Sequence, residues 1–342
     1  MKRYEITLKP ISGFGTPLKG DSLFGQFCWQ VVYDPGLVSG GIHELTRQYS
    51  ESPFVVFSSA FPKAGGGKPT WFFPRPVRIT PGYAIADRDS RKKIIRGRKE
   101  VQSQRWMAVG RGASIDLQNG EFFSDAEVLK CFCDGLESDM AASISPTGIT
   151  EFSVRFSQPH NSINRLTGTT GEGAFAPYAK ENLFYFPGIE LAMFVLVDDG
   201  ATDIDRVAKG VERIGKLGFG RDASTGLGRF DVVGVDEWPF PEVRQGDAMF
   251  TLGPVVPQKR AFKDAVFTPF IRFGKHGDRL ATGVNPFKKP IIMADEGAMF
   301  IPNDPASLDN PWIGAAVTGV SYAEPETVAH GYAPWLPVKW EL

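Results

Sequence analysis

Cysteine is scarce in this chain, with three in 342 residues, and histidine is hardly commoner at four. Cys28 falls on an apolar stretch, and Cys131 and Cys133 stand too close together for an unstrained bridge, so no disulfide framework is expected. A metal knuckle on Cys131-x-Cys133 needs a second ligand pair, and none is nearby. His43, His160, His276 and His330 fall in no His-x-x-x-His or His-Glu-x-x-His spacing, and no Gly-x-Ser-x-Gly elbow is present. The chain also lacks any run near the roughly 18 to 20 apolar residues of a membrane span. Its start, Met1 to Pro10, alternates and carries no apolar leader, so a cytoplasmic protein without a membrane partner is expected. A net charge of −1 argues against gripping duplex DNA with the whole surface.

What is abundant is glycine (38), proline (26) and phenylalanine (27), in a chain 42% hydrophobic and 23% charged. That mixture reads as a strand-rich α+β chain with many turns. Tyr4, Ile6 and Leu8 alternate along a first strand, and a glycine-bounded loop, Gly13 to Gly20, follows. Asp21 or Ser22 then caps a helix whose apolar face is Leu23, Phe24, Phe27, Cys28, Val31 and Val32, ending at Asp34-Pro35-Gly36. A short helix over Ile42 to Ser50 and a strand over Phe54 to Phe61 come next. From Gly65 to about Gly120 the chain turns polar and basic and reads as an insertion. Strands resume at Phe152 to Phe156, Leu183 to Phe186 and Glu190 to Val197, the last two joined in a hairpin by Pro187-Gly188. A helix from Asp203 or Asp205 through Val207, Val211 and Ile214 leads to a strand over Arg229 to Val235. The succession predicts an interrupted β-α-β-β-α-β, ferredoxin-like plan. It occupies about residues 1–240, with the inserted segment at about 63–150. Short strands at Met249 to Leu252, Phe267 to Phe273, Ile291 to Met293, Trp312 to Val320 and Pro334 to Trp340 suggest a second β-rich domain, 245–342, as a degenerate ferredoxin-like unit.

Gly218-Phe-Gly-Arg-Asp-Ala223 fits a dinucleotide fingerprint in letters, but a helix precedes it and a strand follows, the reverse of the required order. No nucleotide cofactor is expected. The loop instead offers Gly218, Gly220, Gly226 and Gly228, the hydroxyls of Ser224 and Thr225, and the flanking Arg221 and Arg229, a set suited to an RNA backbone. Its rival explanation is a turn that merely closes a sheet. Gly65-Gly-Gly-Lys68 has prolines where a phosphate loop needs its first glycine and its hydroxyl residue. The segment His160 to Gly173 has no core pattern and holds Asn161, Asn164, Arg165 and Thr167, donors for phosphates and base edges, although turn chemistry also uses such residues. Between Arg88 and Arg105 eight basic residues face Asp89 and Glu100, leaving that segment six charges positive. His43 is the best general acid/base candidate for metal-independent RNA cleavage.

Four stretches together resemble one family: Gly15 to Trp29, Asn161 to Thr170, Gly218 to Phe230, and Lys289 to Met293. The chain resembles the RAMP-superfamily subunit that caps Csm-type (III-A) CRISPR effector complexes, the fourth in that complex's naming. The resemblance implies a ferredoxin-like domain plus a related second one, and a non-catalytic subunit without metal. It implies binding of the repeat-derived 5′ tag of the guide RNA, with target RNA nearby, and contacts with a large polymerase-like subunit and backbone RAMP subunits. Lys19 and Gly20 would then lie beside the two loops on the tag. An inserted thumb would part guide from target, and the basic segment around Arg88 to Arg111 is its expected counterpart, through Arg91, Lys92, Lys93, Arg96, Arg98 and Arg105. The equivalent subunit of Cmr-type (III-B) complexes shares this plan. A RAMP endoribonuclease using His43, and a purely structural adaptor, are the competing classes.

Overall fold

The computed structural model describes residues 1–65, 68–76, 103–134, 150–241 and 246–340. The first strand, β1 (Lys2–Pro10), sends Ile6 and Leu8 to one face. The opposite face is buried as well, since Glu5 is wholly covered, with Lys63 Nζ at 2.7 Å and the Trp71 indole N–H donating to it at 3.1 Å. A sheet covered on both sides needs two further layers, and the rest of the chain supplies them.

The first layer is helical. α1 (Gly20–Tyr33) buries Leu23, Phe24, Phe27 and Val31 against the sheet. Its cap differs from expectation: Lys19 holds the N-cap position, and Asp21 lies inside the first turn, where it accepts a hydrogen bond from Arg272 at 2.9 Å. The helix starts early because Gly20 packs against the backbone of β2 (Val55–Ala64), where a Cβ would stand 2.3 Å from the Phe57 carbonyl oxygen. The short α2 (Ile42–Gln48) follows as expected. α4 (Ile204–Leu217), numbered after α3 (Asp125–Cys133), is capped by Asp203, which accepts from the Arg206 amide at 2.9 Å.

The central layer is a seven-stranded sheet. Besides β1 and β2 it contains β3 (Thr70–Pro74), β4 (Trp106–Gly110), β5 (Phe122–Phe123), β8 (Glu190–Val197) and β9 (Phe230–Glu237), in the order β5-β4-β3-β2-β8-β1-β9. β8 pairs antiparallel with both β1 and β2, and β1 with β9. Two expectations are corrected here. The partner of β8 across the sheet is β2, not the strand just before it. β7 (Tyr178–Tyr185) pairs with β6 (Ser153–His160) in a separate two-stranded ribbon. The reason is composition: Leu191 to Val197 are all buried, which suits a strand with both neighbours and both faces filled, whereas β7 exposes half its residues. The segment read as a polar insertion likewise contributes β3, β4 and β5, because Trp71, Phe73, Met107 and Val109 form a buried apolar cluster on the widened sheet. Its strongly basic part, including Arg91, Lys92, Lys93, Arg96 and Arg98, lies outside the described residues.

The third layer is a five-stranded sheet, β11-β14-β10-β16-β15, built of β10 (Ala248–Thr251), β11 (Phe262–Val266), β14 (Met299–Pro302), β15 (Trp312–Gly314) and β16 (Tyr332–Val338). β11 and β14 are absent from the sequence reading. The expected strand over Phe267 to Phe273 shortens to β12 (Pro269–Arg272), paired with β13 (Ile291–Ala294). Phe250 and Leu336 of the third layer share one apolar cluster with Phe61, Phe73 and Phe194 of the central sheet. No helix among the described residues is long and apolar enough to cross a membrane.

Candidate nucleic-acid interface

The glycine loop is the link between α4 and β9, and its conformation is set by how tightly it lies on residues 12–16. Gly218 ends α4 at φ +103°, Gly220 has φ +76° and Gly228 +75°. A Cβ on Gly220 would come 2.6 Å from that of Thr16, and one on Gly228 2.1 Å from the Phe219 carbonyl oxygen. The Gly228 amide donates to the Gly13 carbonyl at 2.7 Å, the Arg229 amide to Ser12 Oγ at 2.9 Å, and the Arg221 amide to Thr16 Oγ1 at 3.0 Å. Gly218 and Gly228 therefore answer to backbone packed on backbone, and Gly220 to the Thr16 side chain. Gly226 alone has open space before its missing Cβ, with φ +96°.

The two arginines part company. Arg221 donates from its guanidinium to the Glu181 carbonyl and to Asn182 Oδ1, the latter at 3.2 Å, and so ties the loop to β7. Lys180 of β7 meets Asp222 of the loop at 2.8 Å. Arg229 is exposed and makes no ion pair among the described residues, and the exposed Ser224 and Thr225 stand beside Gly226. Thr225 bonds back to the Asp222 carbonyl at 2.8 Å.

The β6–β7 ribbon projects from this junction. Its strands stay in register from Ser153↔Tyr185 to His160↔Tyr178, and most of its side chains on both faces meet solvent. Phe156 is 54% exposed and Tyr178 46%, values far from those of a core strand. The His160 and Tyr178 rings stack at 5.3 Å, and Arg155, 76% exposed, reaches no closer than 3.9 Å to Glu181. At the tip, Asn164 accepts from the Leu166 amide at 2.9 Å and exchanges backbone bonds with Gly168 and Thr169, while the Thr167 and Thr169 hydroxyls pair at 3.0 Å. Turn chemistry thus occupies Asn164 and Thr167, and leaves Asn161 and Arg165 exposed beside the apolar Ile163 and Leu166.

One surface therefore joins the glycine loop to the ribbon, through Lys180–Asp222, Arg221–Asn182 and the reciprocal Phe14 and Leu183 backbone bonds at 2.7 and 2.8 Å. Lys19 and Gly20 are not on it. Lys19 turns into the molecule, 3.0 Å from Glu296 and also paired with Asp295. Burial opposes its charge, but Glu296 and Asp295 outweigh that and hold the amine above the usual lysine range. Burial pushes the Glu296 carboxyl up to about 7. Arg105 pairs with Asp125 at the start of α3. The exposed aromatics Phe156, Tyr178 and Phe184 were not singled out in the sequence, where Phe152 to Phe156 read only as a strand; the available signal was the run of polar neighbours at Arg155, Ser157 and Gln158. His43 is exposed on α2 and lies 3.3 Å from Glu326.

No family model matches the chain, and no curated protein matches it. Solved structures do. A chain of the crystal structure of a Csm1-Csm4 cassette in complex with cA4 aligns with a TM-score of 0.51 at 16% identity, covering 99% of this chain and 99% of that one. A chain of the Csm3-Csm4 subcomplex in the type III-A CRISPR-Cas interference complex aligns with a TM-score of 0.51 at 14% identity, again over 99% of both. A Csm1-Csm4 cassette in complex with pppApA gives 0.50 at 16% identity, over 99% and 98%. Csm4 is the component common to these assemblies, and the chain shares the Csm4 fold along its whole length.

Proposed function

We propose that the chain is the guide-RNA-binding subunit of a type III-A CRISPR effector complex, holding the 5′ tag of the guide and linking a large polymerase-like subunit to the backbone filament. The observation that carries this reading is the continuous surface from the glycine loop to the projecting β6–β7 ribbon. The strand order β9-β1-β8-β2, with α1 and α4 as the two crossovers, is the order a ferredoxin-like unit requires, and that plan presents such a loop beside an open sheet edge. Arg229, Ser224 and Thr225 take the tag's phosphates, and the backbone around Gly226 lets them approach. The thumb is proposed in the basic segment around Arg88 to Arg111; the ribbon adds to the RNA surface, with Phe156 and Tyr178 offering faces for unstacked bases and Arg155 and Arg165 offering charge. Partners of the Csm1 and Csm3 kind follow from the assemblies in which chains of this fold are found.

The subunit is proposed as non-catalytic. His43 as a ribonuclease base is disfavoured by its place on the open surface of α2, with Glu326 as partner and no second titratable group of the RNA-binding surface beside it.

The test is a tagged pull-down from the native host with sequencing of bound RNA. Short RNAs sharing one repeat-derived 5′ tag, together with a large polymerase-like protein, are expected; a lone protein free of RNA would sink the reading. With about four phosphates neutralised, the log K against log salt slope on single-stranded RNA is roughly −3. Arg229→Ala and Arg165→Ala each flatten that slope with the melt unchanged, whereas Arg221→Ala lowers the melting temperature because its guanidinium holds β7 to the loop. Cleavage of repeat RNA in EDTA that disappears in His43→Ala would favour the nuclease instead.

A further inference from the structure

α1, α2 and the segments around 276–288 and 324–328 line a half-open cavity of about 170 Å³. Its wall is mostly apolar, with Phe24, Trp29, Val32, Leu280 and Val328. Two features of this wall do not serve the fold. Gly25 stands in the interior of α1, where glycine costs roughly 1 kcal/mol against alanine, yet a Cβ there would meet nothing within 4 Å. The glycine keeps space open at the cavity instead of making room for a neighbour. The side-chain amine of Lys288, also on the wall, makes no ion pair or hydrogen bond among the described residues, and burial holds it below the usual lysine range. The nearest carboxylate acting on it, that of Asp21, is already taken by Arg272 at 2.9 Å. A half-buried cation without a partner is a cost that a bound anion reduces.

Glu326 is bound by Arg47 at 3.1 Å and by His43 at 3.3 Å. Burial, with Lys288 adding to it, lowers the pKa of His276, whose Nε2 meets Ser321 Oγ at 2.7 Å, while the Glu324 carboxylate acts on it in the opposite sense and makes no ion pair among the described residues. Arg279 adds a second cation with no ion pair among the described residues. The volume matches the roughly 150 Å³ that houses a benzene ring in an apolar protein cavity, so the site is too small for a nucleotide.

We propose that this cavity binds a small carboxylate bearing a single apolar ring, with the carboxylate on Lys288 and the ring against Phe24 and Trp29 across the gap left by Gly25. The site is independent of the RNA-binding surface, and its test needs no RNA. Benzoate serves as the probe and benzamide as its neutral isostere, titrated into the full-length protein and its variants by calorimetry and ligand-observed NMR. Benzoate binds the wild type tighter than benzamide by roughly tenfold or more, the value of a hydrogen bond to a charged group. Lys288→Met brings the two probes level. Gly25→Leu fills the space and abolishes binding of both while the melting temperature holds or rises, since leucine favours the helix. No benzoate binding at millimolar concentration, equal affinity for the two probes in the wild type, or undiminished binding in Gly25→Leu would each overturn the assignment.

Discussion

Glu296 is buried beside Lys19, Asp295 and Ser59, and its carboxyl titrates near 7 in place of 4.5. Between those two pH values the folded chain holds a proton that the unfolded chain has lost, so linkage makes this group's contribution to stability fall as pH rises through the window. The size is at most ~3 kcal/mol. Asp295 is lowered from 3.8 and Lys19 raised from 10.5, so both act outside that window, but His330, lowered from 6.5 to about 3, and His276, also lowered from 6.5, oppose Glu296 below about 6.5. Glu296→Gln mimics the neutral form, so in chemical denaturation the variant's stability should gain on the wild type's as pH rises from about 5 to 7, the histidines contributing equally to both; a difference between the two that does not change with pH would exclude Glu296 as a source of the slope. The same scale shows how a correct signal can carry a different cause. The spacing of Gly218, Gly220, Gly226 and Gly228 marked a special loop from sequence alone, but three of them serve contact with residues 12–16 and with the loop's own backbone, a closeness that no local pattern encodes.

Among the elements, Pro187-Gly188 does turn the chain, yet the strands on either side belong to different sheets. Turn chemistry is local and was readable; pairing depends on what can cover each strand. β8 is apolar at nearly every position and needs the centre, while β7, with Lys180, Glu181 and Asn182, can stand beside β6 in a ribbon. The ribbon's tip bonds almost entirely to itself, through Asn164, Thr167, Thr169 and the short turn at 173–175. Replacing residues 161–177 with Asn-Gly keeps the His160↔Tyr178 pair in a two-residue hairpin. The melting temperature should hold within a few degrees and guide-RNA retention should drop severalfold; retention equal to wild type would remove the tip from the RNA surface.

At the scale of the whole molecule, the first 241 residues do not complete their own core. Phe61, Trp71, Phe73 and Phe194 share one apolar cluster with Phe250 and Leu336 of the third layer, and the Phe73 ring meets that of Phe250 at 6.2 Å. Tyr49 meets His330 Nδ1 at 2.7 Å, with the His330 pKa lowered to about 3 by burial, and the Ser59 amide donates to the Leu252 carbonyl at 2.8 Å. Uncovering four large aromatics costs roughly 1.5–3 kcal/mol each, which together approaches the ~5–15 kcal/mol stability of an ordinary domain. A chain ending at residue 241 should therefore show no cooperative thermal transition and should self-associate on gel filtration; a sharp melt from a monomer would show that the first two layers suffice.

The sequence by itself determined the local elements, because they rest on short-range physics: the apolar faces of α1, apart from the exposed Val32, and of α4, the start of α4 at Asp203 or Asp205, the stop at Asp34-Pro35-Gly36, the glycine loop and the extent of β8. It also carried the resemblance from which the Csm4-like fold could be anticipated. The tertiary structure alone decided which strands pair, that β3, β4 and β5 widen the main sheet, and that Lys19 turns inward while Arg229 stays in solvent. Those outcomes depend on partners hundreds of residues away, such as Glu296 for Lys19. A lysine's letter is the same whether its charge meets water or a buried carboxylate; only the packed chain settles which one it finds.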